Sequence, residues 1–418
     1  MTAVFFSTWP LLVGVLLLMV GNGMQSSLLG IRGGIEDFTT LQISLVMSSY
    51  FAGFLFGSKM VPDMIQRVGH VRVFAALGSI ISAVLVCYPV MPDWLIWALM
   101  RVAIGFSFSG VYITAESWLN NTATNETRGQ ALSIYMIVQM LGIVTSQILL
   151  NVGDPAGFAI FVLPSVLVSI AFIPILLTVT QAPTFETTER LSFARLYEVS
   201  PLGVVGMFLA GGIFACMFGM AAVWGTVVGL SVAQISAFIA AMYVGGLVFQ
   251  YPIGWMSDRM DRRALIGIVA AVGAVAMFIT TFLPIAMWVL IPAAIVIGGV
   301  ANPMYSLLIA HTNDHLTKEQ MAGASAGLLL SNGLGAMAGP PIIGWMMDRI
   351  GQQGFFVFIC ALMVMIAAYA AYRTTQRTAP KPEDTGAFVV MAPTAAAVAV
   401  GQLMEEAGQD TAAEVEQL

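Results

Sequence analysis

The chain has 418 residues, of which 59% are apolar and only 9% charged, with a formal net charge of −6 and a mean hydropathy of +0.90. Soluble domains carry about a quarter charged residues, so a water-soluble fold is excluded, and the absence of any basic face excludes a nucleic-acid partner. The acid excess gathers near the end of the chain (Glu405, Glu406, Asp410, Glu414, Glu416) and describes a tail rather than a binding surface.

Twelve apolar runs follow one another, at about 9–29, 40–60, 71–90, 94–116, 129–150, 157–178, 201–226, 232–254, 264–284, 287–310, 322–345 and 354–373. Each runs to about 20 residues, which at 1.5 Å per residue crosses the roughly 30 Å core of a lipid bilayer. The first has no basic residue before it and no small-residue cleavage site, so it reads as a retained span and not a signal peptide. An even number of spans puts both termini on one side. On that side fall Lys59, Arg67, Arg72, Arg128, Arg190, Arg195, Arg259, Arg262, Arg263, Lys318, Arg373, Arg377 and Lys381, against Arg32 and Arg349 on the other. This asymmetry marks the richer side as cytoplasmic. The expected protein is multi-pass in a bacterial inner membrane, with both termini in the cytoplasm.

The longest internal loop, 180–200, reads as a cytoplasmic linker between an N-terminal six-helix bundle (1–179) and a C-terminal one (201–375). Within it, Leu191 to Tyr197 has the apolar spacing of a short interfacial helix. Residues 376–418, rich in Pro, Ala and acids, read as a disordered cytoplasmic tail. The three cysteines lie in separate runs and the three histidines lack metal-site spacing, so no metal is expected. No nucleophile–base pair and no phosphate loop occurs. The chain is therefore expected to be no enzyme, to use no cofactor, and to draw energy from gradients.

The two halves repeat weakly. Tyr50-Phe-Ala-Gly53-Phe-Leu-Phe56 matches Tyr243-Val-Gly-Gly246-Leu-Val-Phe249 at a constant offset of 193 residues. Gly254-Trp-Met-Ser-Asp258-Arg259 at the end of the eighth run recurs as Gly344-Trp-Met-Met-Asp348-Arg349 at the end of the eleventh. Those runs point in opposite directions, which is the trace of an inverted three-helix repeat. Duplicated halves with inverted repeats inside them suit alternating access around a central site.

The stretch Gly254-Trp-Met-Ser-Asp258-Arg259-Met-Asp261-Arg262-Arg263 resembles the cytoplasmic signature loop of the major facilitator superfamily, with Asp261 where the family has glycine. The equivalent loop of the first half keeps Arg67 and Gly69 but carries Gln66 where the family carries Asp. The resemblance implies twelve transmembrane helices in two pseudo-symmetric six-helix bundles, an all-α membrane fold, with Arg67, Gly69, Gly254, Asp258, Arg259 and Arg262 in gating loops. Arg101-Val-Ala-Ile-Gly105-Phe-Ser107 in the fourth span is similar to another motif of that family. Glu116-Ser-Trp118-Leu-Asn120, followed by Thr127-Arg128-Gly129, resembles its YcaD-like branch, which implies a solute transporter without naming the solute.

An arginine within a span is costly enough that it normally faces a cavity or a partner. Arg101 therefore stands as a contact for solute or a coupling proton, or as a cap at a helix crossing. Glu116 is the carboxylate placed in the inner half of a span, for pairing or for coupling. Spans one, four, seven and ten line the pathway in the family. On them sit Asn22, Gln25, Tyr112, Trp224, Asn302 and Tyr305, with Tyr50, Tyr135, Gln139, Tyr243, Gln250 and Asn332 on neighbours. Of these, Trp224 leans towards an interface-belt position. With Arg101, the amides and aromatics suit an amphipathic or mildly anionic small organic solute. The reading is a secondary or facilitative transporter, a monomer in the lipid bilayer, with import and export unresolved. Its alternative is a non-transporting sensor or assembly factor of the same fold.

Overall fold

Inside a bilayer no water satisfies the backbone, so long apolar runs bond within themselves as helices. The computed structural model describes residues 2–122, 125–176, 192–376 and Phe388, and among them no strand occurs. The helices are α1 (Thr2–Ile35), α2 (Thr40–Val68), α3 (His70–Cys87), α4 (Trp94–Thr122), α5 (Asn125–Leu149) and α6 (Ala159–Leu176), then a short α7 (Phe193–Val199). The second half holds α8 (Pro201–Ala215), a π-turn (Cys216–Met220) and α9 (Ala221–Val227), which together form one span. It continues with α10 (Val232–Ser257), α11 (Arg262–Phe282), α12 (Met287–Asn313), α13 (Lys318–Ile350) and α14 (Gly354–Thr374).

Among the described residues, 10 stretches are long and apolar enough to cross a membrane. One of them, Gly323–Thr374, holds two helices, α13 and α14. Ala159–Pro174 is a shorter apolar helix. Several helices extend beyond the expected apolar runs, α2 to Val68 and α13 to Ile350, because helical hydrogen bonding continues beyond the hydrocarbon.

Local chemistry sets the helix ends. Thr39 and Gln42 form a reciprocal capping box at the start of α2, and Ser231 and Gln234 do the same for α10. Gly69, at φ +87°, turns the chain from α2 into α3, a conformation that costs any other residue. Side chains face out all around the bundle. Phe56, Leu99, Ile148, Phe278 and Trp288 are each more than half exposed, a belt that only lipid can cover.

Helix pairing repeats between halves. The α2–α4 pair closes so tightly that a Cβ on Gly53 would run into the Val102 carbonyl and one on Gly105 into the Tyr50 carbonyl. In the second half α10 and α12 do the same through Gly245 against Ile295 and Gly298 against Met242. Small residues permit such backbone contact, which supplies the dispersion that holds helices together in lipid. The first six helices pack chiefly with one another, as do α8 to α14.

The two groups meet on the face opposite the termini. There a Cβ on Gly30 would stand 2.8 Å from the Ala222 Cβ, and one on Gly344 would stand 2.6 Å from the Ser44 Oγ. Ser48 Oγ donates to the Met337 carbonyl at 2.5 Å. Of the 180–200 linker, 180–191 lies outside the described residues, as do 177–179 at the end of the first bundle. The 192–200 part carries α7, capped by Ser192 and anchored by the buried Leu196. The 376–418 tail also falls outside them, apart from Gln376 and Phe388.

Candidate functional site

Below this seam, between the two groups of helices, lies a cavity. Its walls come from α1 (Met19, Asn22), α2 (Tyr50), α4 (Tyr112), α5 (Met136, Gln139, Met140, Ile143), the seventh span (Phe214, Phe218), α10 (Tyr243) and α12 (Asn302). Asn22 Nδ2 donates to the Tyr112 hydroxyl at 3.1 Å and approaches the Tyr50 hydroxyl at 3.4 Å. Tyr112 in turn contacts Met19 Sδ at 3.4 Å. Across the cavity Asn302 is held by the Gly298 carbonyl at 3.0 Å and abuts Gly246. The buried Gln139 Nε2 makes no well-formed hydrogen bond among the described residues.

The aromatic side of the wall spans the π-turn, with Phe214 just before it and Phe218 within it. The extra residue per turn shifts the register of the seventh span. Phe214 and Phe218 stack with ring centroids 5.8 Å apart, and Phe218 reaches 5.6 Å from Tyr50. Sequence reading misses both phenylalanines and the methionines, because apolar side chains do not stand out within apolar runs. The available signal is the offset repeat: Tyr50 and Tyr243, matched residues of the two halves, both face the cavity.

Of the residues expected to bind solute, Asn22, Tyr112 and Asn302 line the cavity, and Gln25, Arg101 and Tyr305 stand behind its wall. Gln25 Nε2 donates to Asn22 Oδ1 at 3.1 Å and so orients that amide. Arg101 is wholly buried and is not among the lining residues; its guanidinium carbon lies 4.9 Å from the ring centroid of Tyr50, which does line the cavity. Its other contacts are Ser26 Oγ at 3.3 Å and Met47 Sδ at 3.4 Å, while Nε has no partner among the described residues. Tyr305 is buried on the side of Glu116.

Glu116 is itself buried and accepts from the Tyr135 hydroxyl at 3.2 Å. Tyr135 precedes Gln139 of the cavity wall by one turn of α5. The side chain of Arg128, a basic residue near Glu116 in sequence, lies outside the described set. Gln250 contacts Ser306 at 3.4 Å, and Asn332 contacts the Met207 carbonyl at 3.3 Å. Trp224 does not sit at the interface. It is fully buried, its Nε1 donates to the Gln352 carbonyl at 2.9 Å, and it packs on Phe238, Phe355 and Phe356. With the N–H satisfied, burial of so large a ring is favourable.

In the signature loop Arg262 is 3% exposed and bonds Asp314, Ser257 Oγ at 3.0 Å and the Ala310 carbonyl at 3.3 Å, with Asp258 farther at 3.4 Å. Arg259 lies over the Trp255 ring at 4.3 Å. Gly254 carries the Phe388 ring, whose backbone N–H donates to Asp258 Oδ1 at 2.8 Å. Arg263 closes on Asp261 through Nε at 3.2 Å and Nη2 at 3.0 Å. Burial acts to raise the Asp261 carboxyl, but the side-chain and backbone hydrogen bonds from Arg263 outweigh it and hold the pKa below the ordinary value. In the first half Arg67 is exposed and Gly69 forms the turn.

The sequence profile of the Major Facilitator Superfamily matches residues 11–231 and 202–405. An uncharacterized MFS-type transporter, YcaD, of Escherichia fergusonii is 24% identical over 358 residues, 84% of this chain and 92% of that one. Another, YE1530 of Yersinia enterocolitica, is 25% identical over 376 residues, covering 88% and 96%. Among solved structures, a point mutant of the nucleoside transporter NupG superposes with a TM-score of 0.74 at 14% identity, covering 88% of this chain and 99% of that one. A bacterial homolog of the human lysosomal transporter Spinster, inward-facing and unoccupied, superposes with a TM-score of 0.67 at 13% identity, covering 99% and 98%. With its paired helices, its cavity between two bundles and a profile match spanning most of its length, this multi-pass membrane protein belongs to the Major Facilitator Superfamily of transporters.

Proposed function

We propose that the chain is a secondary transporter that carries a neutral, amphipathic solute with a flat ring system, by alternating access of one cavity to the two sides of the membrane. The observation that carries this reading is the cavity wall itself. Amides (Asn22, Gln139, Asn302) and phenols (Tyr50, Tyr112, Tyr243) offer directional hydrogen bonds, while Phe214, Phe218 and the methionines offer flat apolar contact. Among the described residues no lining residue is charged, and the one cation that suggested an anionic solute, Arg101, is buried against Tyr50 and does not line the cavity. A nucleoside has this chemistry, a planar base on a hydroxylated sugar, and NupG, which shares the fold, is a nucleoside transporter.

The termini lie in the cytoplasm of a bacterial cell, as the basic loops require. The sealed face is then the outer one, and the cavity is offered inward. Asp258, Arg262 and Arg67 belong to loops that rearrange as the bundles rock. Glu116, linked through Tyr135 to the turn below Gln139, is the group placed to couple a proton. Each copy contains a complete cavity, so a monomer suffices. The test is a thermal-shift panel on purified protein with nucleosides, aromatic amines and aromatic carboxylates. A neutral ring-bearing compound is expected to stabilise the protein, and a response confined to carboxylates would overturn the neutral-solute reading.

A further inference from the structure

A second, small pocket opens far from the central cavity, at the end of the second bundle where the chain enters α8 and leaves α14. It is lined by Arg263, His311, His315 and Arg373, and by the Val199–Leu202 segment that starts α8. These four basic side chains come from three different helices and one helix end: the first turn of α11, the last turn of α12, the residues after it, and the last turn of α14. Nothing in solute passage through the central cavity uses them.

Their surroundings are unusual for basic side chains. Arg263 and His311 are nearly inaccessible, at 4% and 6% exposure. Asp261 neutralises Arg263, but the Arg373 guanidinium has neither ion pair nor hydrogen bond among the described residues. The His311 and His315 rings lie 5.0 Å apart. The His311 ring nitrogens make no hydrogen bond among those residues, and His315 uses only Nδ1, on the His311 carbonyl at 2.9 Å. Opposite them is the N-terminus of α8, 15 residues long, whose dipole favours negative charge. Pro201 has no N–H to offer, while Ser200 Oγ caps the Gly203 N–H at 3.2 Å. One unpaired guanidinium, two imidazoles and a helix N-terminus around one small cavity make a receptor for a multi-oxygen anion. A carboxylate would be saturated by one arginine fork, whereas a phosphate group presents three oxygens and up to two charges to several donors.

We propose that this pocket binds a phosphate group, borne by a lipid headgroup or free in solution, through Arg373, His311, His315 and Arg263. The test uses the full chain in phosphatidylcholine nanodiscs. Sodium phosphate is titrated against sodium chloride at matched ionic strength, which removes general screening, and a parallel set of nanodiscs is doped with phosphatidate. Phosphate or phosphatidate is expected to raise the thermal midpoint. Arg373→Gln and His315→Gln are each expected to keep the ligand-free midpoint and to weaken the response about tenfold, the loss of one charge-assisted hydrogen bond. A response to soluble phosphate assigns the free anion, and a response to phosphatidate alone assigns a lipid. Should one variant fail to fold, the other carries the comparison. No rise with either probe, or a rise in both variants as large as in wild type, would overturn the proposal and leave these basic groups as partners of the carbonyl ends of α12 and α14.

Discussion

Arg262 divides its charge between two aspartates, and their burial predicts very different consequences for losing each one. The Asp314 side chain is 4% exposed and forms the tighter pair, while Asp258 is 41% exposed and 3.4 Å away. Removing one partner of a buried pair costs about 3–5 kcal/mol, because the remaining charge is left desolvated. In Asp314→Asn, Ser257 Oγ, the Ala310 carbonyl and Asp258 still face the guanidinium, so the low end applies, about 3 kcal/mol. For Asp258→Asn, solvent screening reduces the loss to about 0.2–1 kcal/mol. The assay is thermal unfolding of detergent-purified protein, followed by fluorescence, for both variants and wild type. Asp314→Asn should lower the midpoint by several degrees and Asp258→Asn by one or two at most. Equal shifts, or a larger one for Asp258→Asn, would refute the assignment of Asp314 as the principal partner.

Gly105→Ala should lower the thermal midpoint markedly, since the new Cβ meets the Tyr50 carbonyl. Gly267→Ala, whose Cβ would find Ala370 at an ordinary 3.7 Å, should not. Arg101→Met should hold or raise the midpoint, because it removes a buried cation with no carboxylate partner among the described residues. A fall of more than about 3 kcal/mol would show that its contacts to Tyr50, Ser26 and Met47 outweigh its desolvation. The depressed Asp261 carboxyl contributes stability that is present above the ordinary aspartate pKa and is lost as the pH falls through the lower folded value. Wild type should therefore lose more stability than Asp261→Asn between about pH 5 and pH 3, and parallel pH profiles would contradict the ion pair.

Much of this architecture is legible in the residues. Span lengths follow from bilayer thickness, and the Tyr50 and Tyr243 repeats sit in matched positions of two bundles. Asn22, Tyr112 and Asn302 stand out by their polarity within otherwise apolar runs. Relations across helices are not legible in the same way. Arg101 packs on the Tyr50 ring where α2 and α4 touch through glycines, a contact between helices that neither run shows by itself. Asp314 belongs to no motif, and becomes the partner of Arg262 because α12 ends beside the start of α11. Phe214 and Phe218 are apolar residues in an apolar run, and hydropathy does not mark which of them face the cavity. Trp224 reads as an interface residue until the α13–α14 turn supplies the Gln352 carbonyl.

The central claim is that a neutral ring-bearing solute crosses through the cavity between the bundles. Its most direct test is uptake of radiolabelled adenosine, as a probe of that class, into proteoliposomes containing wild type, Asn302→Ala or Tyr243→Ala, with vesicle orientation controlled. The account predicts saturable uptake by wild type and at least about a tenfold loss in either variant, each losing hydrogen bonds or ring contact to the solute, with the fold intact by thermal unfolding. Saturable uptake that both variants retain in full would contradict it, placing the pathway elsewhere than the cavity lined by Asn302 and Tyr243.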